Sequence, residues 1–432
     1  MVRGRIKSIL LGCTSAAVLL AATAAANAGG FSIREQSAYG QGSSFAGIAA
    51  GGALSSMFWN PATMTQFKGT NLELSAAAIL PKAEHFNAAG TSVVGNSGEA
   101  AVVPSNYFSY QVNDRLWVGM AVNAPVGLGV NFPAVWGGTG RFYAQDSNVA
   151  SYNFNPNIAY KLTDWLSVAI GFQAQYMWVN YQQFTGVASN FTLNGTGWGY
   201  GLTAGVTITP TASTTIGIGY RSGINNKIDG TMSGGVGLST NGPINTTVNL
   251  PDTLTIGLRQ GLTDRLTLLA GYEWSNWSRI GTSRVYQSSG APALGTTGAA
   301  ITLPFEYSDG HFYSIGAEYK LDPAWTIRAG FAFEKSPVTD AVRTPRLPDN
   351  DRNWYSAGFS YKPPQMAGLT LDFGYSYIDV KNTPINVVAG NPWFNAGVGA
   401  YTGSVDTHIH IVSAGVRYQF GEPARVKQVY TK

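Results

Sequence analysis

From about residue 71 to residue 420 the chain alternates apolar and polar positions with a period of two. Leu369 and Leu371, for example, alternate with Thr370 and Asp372. Successive side chains of a strand point to opposite faces, so the pattern predicts strands with one apolar and one polar face. The predicted strands are Asn71–Leu80, Ser105–Gln111, Leu116–Ala124, Val149–Tyr160, Leu166–Gln183, Gly199–Thr209, Thr214–Asn225, Thr253–Gly261, Leu266–Arg279, Glu306–Lys320, Trp325–Lys335, Trp354–Lys362, Leu369–Val380 and His408–Phe420.

Short turns and long polar connections alternate between these strands. Tight turns such as Asn113-Asp114 and Thr163-Asp164 are followed by connections rich in Gly, Ser, Thr and Asn. An even number of strands with this alternation is typical of a closed transmembrane barrel, in which every backbone group finds a partner away from lipid. We therefore predict an all-β membrane protein, an antiparallel β-barrel of about fourteen strands. The alternative is a soluble sandwich with one wet face.

The first residues predict export. Three basic residues precede an apolar run, and the small residues Ala26 and Ala28 satisfy the signal peptidase rule. Residues 1–28 are thus a predicted signal peptide, and Gly29 is the predicted mature N-terminus. The single cysteine, Cys13, would leave with it.

Composition narrows the functional classes. Charged residues make up 12% of the chain, against about 25% in ordinary soluble domains. The net charge of +4 is dispersed, so no nucleic-acid partner is expected.

His408 and His410 share a strand face at a spacing that could hold a metal, but no adjacent carboxylate cluster or cysteine supports a metal site. With no Ser–His pair marked out and no phosphate-binding loop, we expect no catalytic residues, no cofactor and no enzyme activity.

Residues 29–69 lack the alternation of the barrel region, which we place at 70–420. Asn60 and Pro61 match a helix N-cap followed by proline at the first helical position. Since this segment also carries many apolar residues, we expect a small helical hatch in the lumen; a free periplasmic tail is the alternative. Residues 421–432 form a predicted polar C-terminal tail.

Several motifs resemble one family. FSIREQSAYGQGSSFAGIAA, FWNPATM, GRFYAQDSNVASYNFNPNIAYKL, LPDTLTIGL, EWSNWSRI and LPDNDRNWYSAGFSYK, in this order, resemble the FadL-type transporters of long-chain fatty acids and other hydrophobic compounds. The resemblance covers nearly the whole mature chain, and its hatch motif is Asn60-Pro61-Ala62.

The resemblance implies a fourteen-stranded monomer in the Gram-negative outer membrane, surrounded by lipid and lipopolysaccharide. It implies passive transport: capture by the outer loops, transfer to an apolar pocket at the N-terminus, hatch rearrangement, and lateral release at a kinked third strand. Pro125, Gly127 and Gly129 follow the third predicted strand. Proline cannot donate to the ladder and glycine tolerates bends, so a kink is expected there. The alternative is an ordinary strand end.

The predicted substrate-binding residues comprise apolar residues of the hatch and two arginines in family-like motifs. They are Phe31, Ile33, Gln36, Phe45, Phe58, Trp59, Arg141 and Arg352. Other lumen-facing arginines are expected to pair with Glu273, Glu334 and Asp372. The cargo is either a fatty acid, whose carboxylate requires a cationic partner, or an uncharged aromatic hydrocarbon. A hydrophilic porin and an outer-membrane lipase remain as distant alternatives.

Aromatic residues near the predicted strand ends are expected to form the two membrane girdles. The tryptophans in this set are Trp117, Trp165, Trp178, Trp274, Trp277, Trp325 and Trp354.

Overall fold

The computed structural model describes residues 29–186, 190–234, 242–287 and 299–421. The predicted signal peptide and residues 422–432 of the predicted tail lie outside them. The described residues form fourteen barrel strands, five of them in two segments. They are β1 (Thr70–Asn87), β2 (Ala101–Gln111), β3 (Leu116–Asn123 and Gly127–Val130), β4 (Ser147–Lys161), β5 (Leu166–Phe184), β6 (Asn190–Thr211), β7 (Thr214–Arg221 and Asn225–Ser233), β8 (Gly242–Asn249 and Thr253–Gly261), β9 (Leu266–Ser275 and Thr282–Gln287), β10 (Ala299–Pro304 and Gly310–Lys320), β11 (Trp325–Lys335), β12 (Arg352–Tyr361), β13 (Leu369–Val387) and β14 (Tyr401–Phe420).

Each strand pairs antiparallel with its neighbours, and β14 closes the sheet on β1. The closing register runs from Thr70 opposite Phe420 to Asn87 opposite Gly403. A short strand, Ser92–Val94, pairs with the end of β1 beyond the wall. The predicted closed barrel and its strand number are confirmed.

Among the described residues, no helix is long and apolar enough to cross a membrane.

Alternation places the apolar face outside. In β11, Trp325, Ile327 and Phe331 are exposed, whereas Arg328 and Glu334 are buried in the lumen. An exposed apolar band and a polar interior are what a barrel needs when its solvent is lipid.

The girdle prediction is wrong for three tryptophans. Trp117, Trp277 and Trp354 are buried, whereas Trp165 and Trp325 are exposed on the wall. The three occupy inward or loop positions and pack within the barrel. Trp117 Nε1, for example, donates a hydrogen bond of 2.8 Å to the Phe67 carbonyl.

The strands differ from prediction at their outer ends. β1 continues to Asn87 and β13 to Val387, each seven residues beyond the predicted end, and β14 begins at Tyr401. In these extensions the inward positions, such as Ile385 and Val405, are apolar and buried, whereas the outward positions, such as Lys82, are polar. The apolar-outside pattern used for the prediction is therefore reversed there.

The N-terminal segment 29–69 packs inside the barrel. It contains one short α-helix, α1 (Ala38–Gln41), capped by the Ser37 side chain. Three 3-10 helices follow at Ile48–Ala50, Leu54–Phe58 and Pro61–Gln66. The last begins as predicted, with Asn60 as N-cap and Pro61 in the first turn.

Glycines on the wall let this segment approach closely. A Cβ at Gly217 would lie 1.8 Å from the Ala49 carbonyl oxygen, and one at Gly219 would lie 1.8 Å from that of Trp59. The wall and segment backbones therefore meet without an intervening side chain.

Candidate functional site

An apolar cavity of about 110 Å³ lies in the outer half of the lumen, above the N-terminal segment. Phe31 lines it and packs edge-on against Trp277 and Phe305, with ring centroids 5.3 and 5.6 Å apart. Most of the other lining residues are aliphatic or aromatic. They include Leu128, Val149, Met177, Val179, Leu193, Ile228, Ile244, Val248, Val285, Leu303, Tyr307, Val338, Val342, Leu347 and Trp393. Such a lining suits an apolar ligand.

One buried cation borders this cavity. Arg346 lies in the connection between β11 and β12 and donates hydrogen bonds to the carbonyls of Gln145, at 3.1 Å, and Gln182, at 2.7 Å. Its guanidinium carbon sits 3.9 Å from the centre of the Tyr181 ring. Among the described residues, no carboxylate lies within 4.0 Å of Arg346. Burial lowers the pKa of this guanidinium because the charged form loses its hydration.

A second, more polar cavity of about 80 Å³ adjoins the first. Ile33, Phe58 and Trp59 line it together with Pro125 and Arg221. Ile33 is thus separated from Phe31, although only Ser32 lies between them. Phe31 and Ile33, which were predicted to line one pocket, therefore border two cavities of different polarity.

Two other predicted residues hold the segment in place. Phe45 packs against Trp59, with ring centroids 5.4 Å apart, and against Trp354, at 6.3 Å. Gln36 Nε2 donates to the Ala124 carbonyl at 2.9 Å. Neither lines either cavity.

Asn60 of the hatch motif ties the segment to the wall. Its Oδ1 accepts from the Ala62 amide at 3.0 Å, while Nδ2 donates to the Ala49 carbonyl at 2.7 Å and to the Val206 carbonyl of β6 at 2.9 Å. Pro61 and Ala62 are buried in the turn that Asn60 caps.

The barrel wall is interrupted at the predicted kink. Ladder pairing between β2 and the first segment of β3 stops at Asn106 and Val122. The second segment, containing Gly127 and Gly129, pairs with β4. In the described residues, no ladder pair joins β2 to β3 between the pair Asn106–Val122 and an isolated bridge between Gly98 and Val130.

The N-terminal segment covers this interruption from inside. The Ile33 amide donates to the Pro125 carbonyl at 2.9 Å, and the Gly127 amide donates to the Phe31 carbonyl at 2.9 Å. Phe31, which lines the apolar cavity, is therefore also hydrogen-bonded to β3 where that strand is interrupted.

The two predicted arginines lie elsewhere. Arg141, in an outer loop, sits with its guanidinium carbon 4.0 Å from the centre of the Phe184 ring. Arg352 is buried and paired with Asp349 and Glu334. Neither lines the apolar cavity. Sequence reasoning missed Arg346, because a lone arginine in an irregular connection carries no periodic signal.

Five side chains, of which Arg34 is partly buried and the others buried, form what we call the lumen charge cluster: Arg34, Glu273, Glu334, Asp349 and Arg352. Arg34 Nη2 lies 2.9 Å from Glu273 Oε1 and 4.0 Å from Glu334 Oε1. Arg352 Nε lies 3.7 Å from Glu334 Oε2, and its Nη2 contacts Asp349. Glu273 and Glu334 are thus paired with Arg34 and Arg352 and not with the other lumen-facing arginines expected there. Asp372 does pair with such an arginine, Arg417, at 2.5 Å.

Glu35 adjoins this cluster. Its side chain is buried, and Oε2 has no hydrogen-bond partner among the described residues. Loss of hydration on burial raises the pKa of its carboxyl to about 7.

A second charged group surrounds Tyr39 of α1. The Tyr39 hydroxyl donates to Glu318 Oε2 at 2.7 Å and accepts from Arg259 Nη1 at 2.7 Å. The Arg328 guanidinium carbon lies 3.9 Å from the centre of the Tyr39 ring, and Arg328 Nε pairs with Glu318 at 2.9 Å. Side chains from β8, β10 and β11 thus hold α1.

His408 and His410 lie on the outer face of β14, and the Tyr375 hydroxyl is 2.8 Å from His410 Nδ1. Within the described ranges, no group of three or more potential ligands could hold a metal.

Comparison with known proteins gives a consistent result. The model of the family described as "Outer membrane protein transport protein (OMPP1/FadL/TodX)" matches residues 19–420. The chain is 26% identical over 425 residues to Outer membrane protein P1 of Haemophilus influenzae, covering 85% of this chain and 89% of that protein. It is 28% identical over 411 residues to the Long-chain fatty acid transport protein of Salmonella typhi, covering 86% and 92%.

Solved structures share the fold. A Pseudomonas aeruginosa FadL homologue superposes with a TM-score of 0.80 at 21% identity, over 90% of this chain and 100% of that one. The Ralstonia pickettii toluene transporter TbuX gives a TM-score of 0.60 at 19% identity, over 85% and 94%.

Proposed function

Because the chain belongs to the OMPP1/FadL/TodX family of outer membrane transport proteins, we propose that it carries long-chain fatty acids passively across the outer membrane. The family accounts for the location and for the class of cargo, fatty acids or hydrophobic aromatics. The choice of a fatty acid rests on one observation: a buried arginine without a carboxylate partner borders an apolar cavity.

The cavity supports an acyl chain as cargo. Transfer of apolar surface from water contributes about 25 cal/mol per Å², so the binding free energy of an acyl chain becomes more favourable with each part of the apolar lining that it covers. A water-filled pore would give no such gain. The apolar lining and the arginine at its edge together match a molecule with an apolar body and one anionic end.

Arg346 supplies the polar end of the match. Its hydrogen-bond partners are neutral carbonyls and a hydroxyl, and the Asp146 carboxylate acts on it only from more than 4.0 Å away. A carboxylate would restore the compensation that burial removes, and charge-assisted hydrogen bonds of this kind contribute about 1.5–3 kcal/mol.

The route follows from the position of the N-terminal segment. Cargo captured by the outer loops enters the apolar cavity beside Phe31. Movement of Phe31 to Ile33 away from Pro125 and Gly127 then opens the interruption between β2 and β3. Residues 29–69 act as the hatch, and the cargo leaves sideways into lipid without crossing water. The protein works as a monomer in contact with lipid and lipopolysaccharide.

Uptake of two cargoes tests this function. In cells lacking the gene and complemented with variants, Arg346→Met should reduce labelled oleate uptake about ten- to a hundredfold, since 1.4 kcal/mol corresponds to tenfold. Toluene uptake should change less than twofold, because toluene has no charge. Arg346→Lys should recover part of the oleate uptake, and Arg141→Met is the matched control outside the cavity.

Equal loss of both cargoes would indicate a structural role for Arg346, and unchanged oleate uptake would refute the assignment. Heat-modifiable migration in gels checks that each barrel is folded.

An aromatic hydrocarbon is the second candidate. The rings of Phe31, Trp277, Phe305 and Tyr307 form a contiguous edge-to-face group at the cavity. If aromatic cargo is the true substrate, Phe31→Ala should reduce toluene uptake more than oleate uptake.

A further inference from the structure

The predicted mature N-terminus lies inside the lumen charge cluster. Gly29 is buried, and its backbone nitrogen is 3.3 Å from Glu334 Oε1. The next backbone nitrogen, that of Gly30, donates to Asp349 Oδ2 at 3.0 Å. The backbone nitrogens of Gly29 and Gly30 therefore each face a buried carboxylate.

The cluster lacks one positive charge. It contains three carboxylates, on Glu273, Glu334 and Asp349, but two guanidinium groups, on Arg34 and Arg352. No other side-chain cation lies within 4.0 Å of these carboxylates in the described ranges. A buried charge without compensation is strongly unfavourable.

The surrounding groups do not remove this imbalance. Glu35 carries at most one further negative charge. Among the residues lining the small space beside Gly29, His311 and Lys335 belong to neighbouring strands. They are opposite each other in register and alternate with the buried Phe312 and Glu334, so they face outward.

We propose that cleavage after Ala28 supplies the missing cation: the new α-ammonium group of Gly29 pairs with Glu334 and completes the lumen charge cluster. Signal peptidase hydrolyses the Ala28–Gly29 peptide bond with one water molecule. The products are a carboxylate on Ala28 and an ammonium group on Gly29. Processing thereby makes the ion pair that seats the N-terminal segment.

Residue 29 suits this role. A Cβ on Gly29 would lie 2.5 Å from Glu334 Oε1, so any side chain would push the nitrogen away from the carboxylate. Two residues further on, Phe31 borders the apolar cavity and pairs with Gly127 at the wall interruption. The ion pair therefore anchors the end of the stretch that covers the interruption.

The first test measures the amine itself. N-terminal sequencing of the purified protein should return Gly29. Acetylation of its α-amine at pH 7.5, followed by mass spectrometry, should be at least tenfold faster in Glu334→Gln, since loss of the carboxylate favours the neutral, reactive amine. Asp252→Asn removes a carboxylate that lies on the wall and away from the segment, and it should leave the rate unchanged. A different mature N-terminus, or equal rates in wild type and Glu334→Gln, would overturn the proposal.

A second test covers the case in which Glu334→Gln does not fold. Insertion of Ser-Gly between Ala28 and Gly29 keeps a cleavage site but converts the Gly29 amine into an amide. The extended protein should lose the wild-type heat resistance of its folded form in gels, and the new terminal amine should acetylate at the rate of an exposed amine. Unchanged heat resistance would contradict the ion pair. Because neither test uses uptake, failure here is distinguishable from failure of the proposed function.

Discussion

Removal of one hydroxyl, by Tyr39→Phe, should loosen the N-terminal segment while the barrel remains closed. The hydroxyl bonds Glu318 and Arg259, each at 2.7 Å. Glu318 keeps Arg259 at 3.1 Å and Arg328 at 2.9 Å in the variant, so its charge stays compensated. Hydrogen bonds to charged groups contribute about 1.5–3 kcal/mol. Because two such bonds are lost but no charge is left unpaired, we expect a net cost of about 2–3 kcal/mol to the seated segment.

A buried thiol reports the movement. Ser56 lies within the segment, is fully buried, and its Oγ has no partner among the described residues, so Ser56→Cys is nearly isosteric. If the thiol reacts with maleimide only when the segment opens, its labelling rate follows the opening equilibrium. A cost of 2–3 kcal/mol then predicts labelling about 30 to 150 times faster in the Tyr39→Phe background.

Tyr220→Phe is the matched control. It also removes a hydroxyl–carboxylate bond, of 2.6 Å to Asp252, but this bond lies on the wall and away from the segment. The control should label at the parent rate. Less than a twofold change in the Tyr39→Phe protein, with folded barrels in gels, would refute the view that this charged group holds α1.

Three further predictions follow from other contacts. Burial raises the pKa of Glu35 from its ordinary 4.5 to about 7, so the contribution of this group to the seated segment is fully present below pH 4.5 and falls by about 3 kcal/mol as the pH rises to 7. The labelling rate at position 56, divided by that of free cysteine at each pH, should rise over that window, and this rise should be absent in Glu35→Gln. Gly217→Val should prevent seating, because its Cβ would meet the Ala49 carbonyl at 1.8 Å, whereas Gly261→Val, whose nearest contact is 3.5 Å, should behave as wild type in the same labelling assay. Gly129→Phe, beside the wall interruption, should cut oleate uptake at least fivefold in a folded barrel, and uptake equal to that of Gly95→Leu, where a Cβ meets nothing within 4 Å, would count against lateral release.

The wall was predictable because its constraint is local. One face of each membrane strand contacts lipid and the other faces the lumen, so residues two positions apart share a polarity. Strand number, antiparallel order and the lipid-facing side of strands such as β11 follow from it. The prediction failed at the outer ends of β1, β13 and β14, where the outward positions are polar and the inward positions, such as Ile385 and Val405, are apolar.

The N-cap at Asn60 was likewise predictable, since a cap and a following proline are neighbours in the chain. Its bonds to Ala49 and Val206 were not. The presence of a tryptophan near a strand end does not determine whether its side chain faces the lumen or the lipid. Trp117 is buried and Trp165 is exposed, because only Trp117 occupies an inward position.

The amino-acid sequence by itself determined the barrel, its lipid-facing surface and a non-alternating segment before it. Only the tertiary structure decided that Phe31 and Ile33 enter different cavities, that Arg346 borders the apolar one, and that Gly29 meets Glu334. Those contacts join residues far apart in the chain, such as Gly29 and Glu334, which are 305 positions apart. The spacing of these residues along the chain carries no period. Lipid requires the same apolar outward face on every strand, so that face can be predicted from the sequence. The contacts in the lumen depend on how residues 29–69 pack against the wall, and this packing is specific to the folded protein.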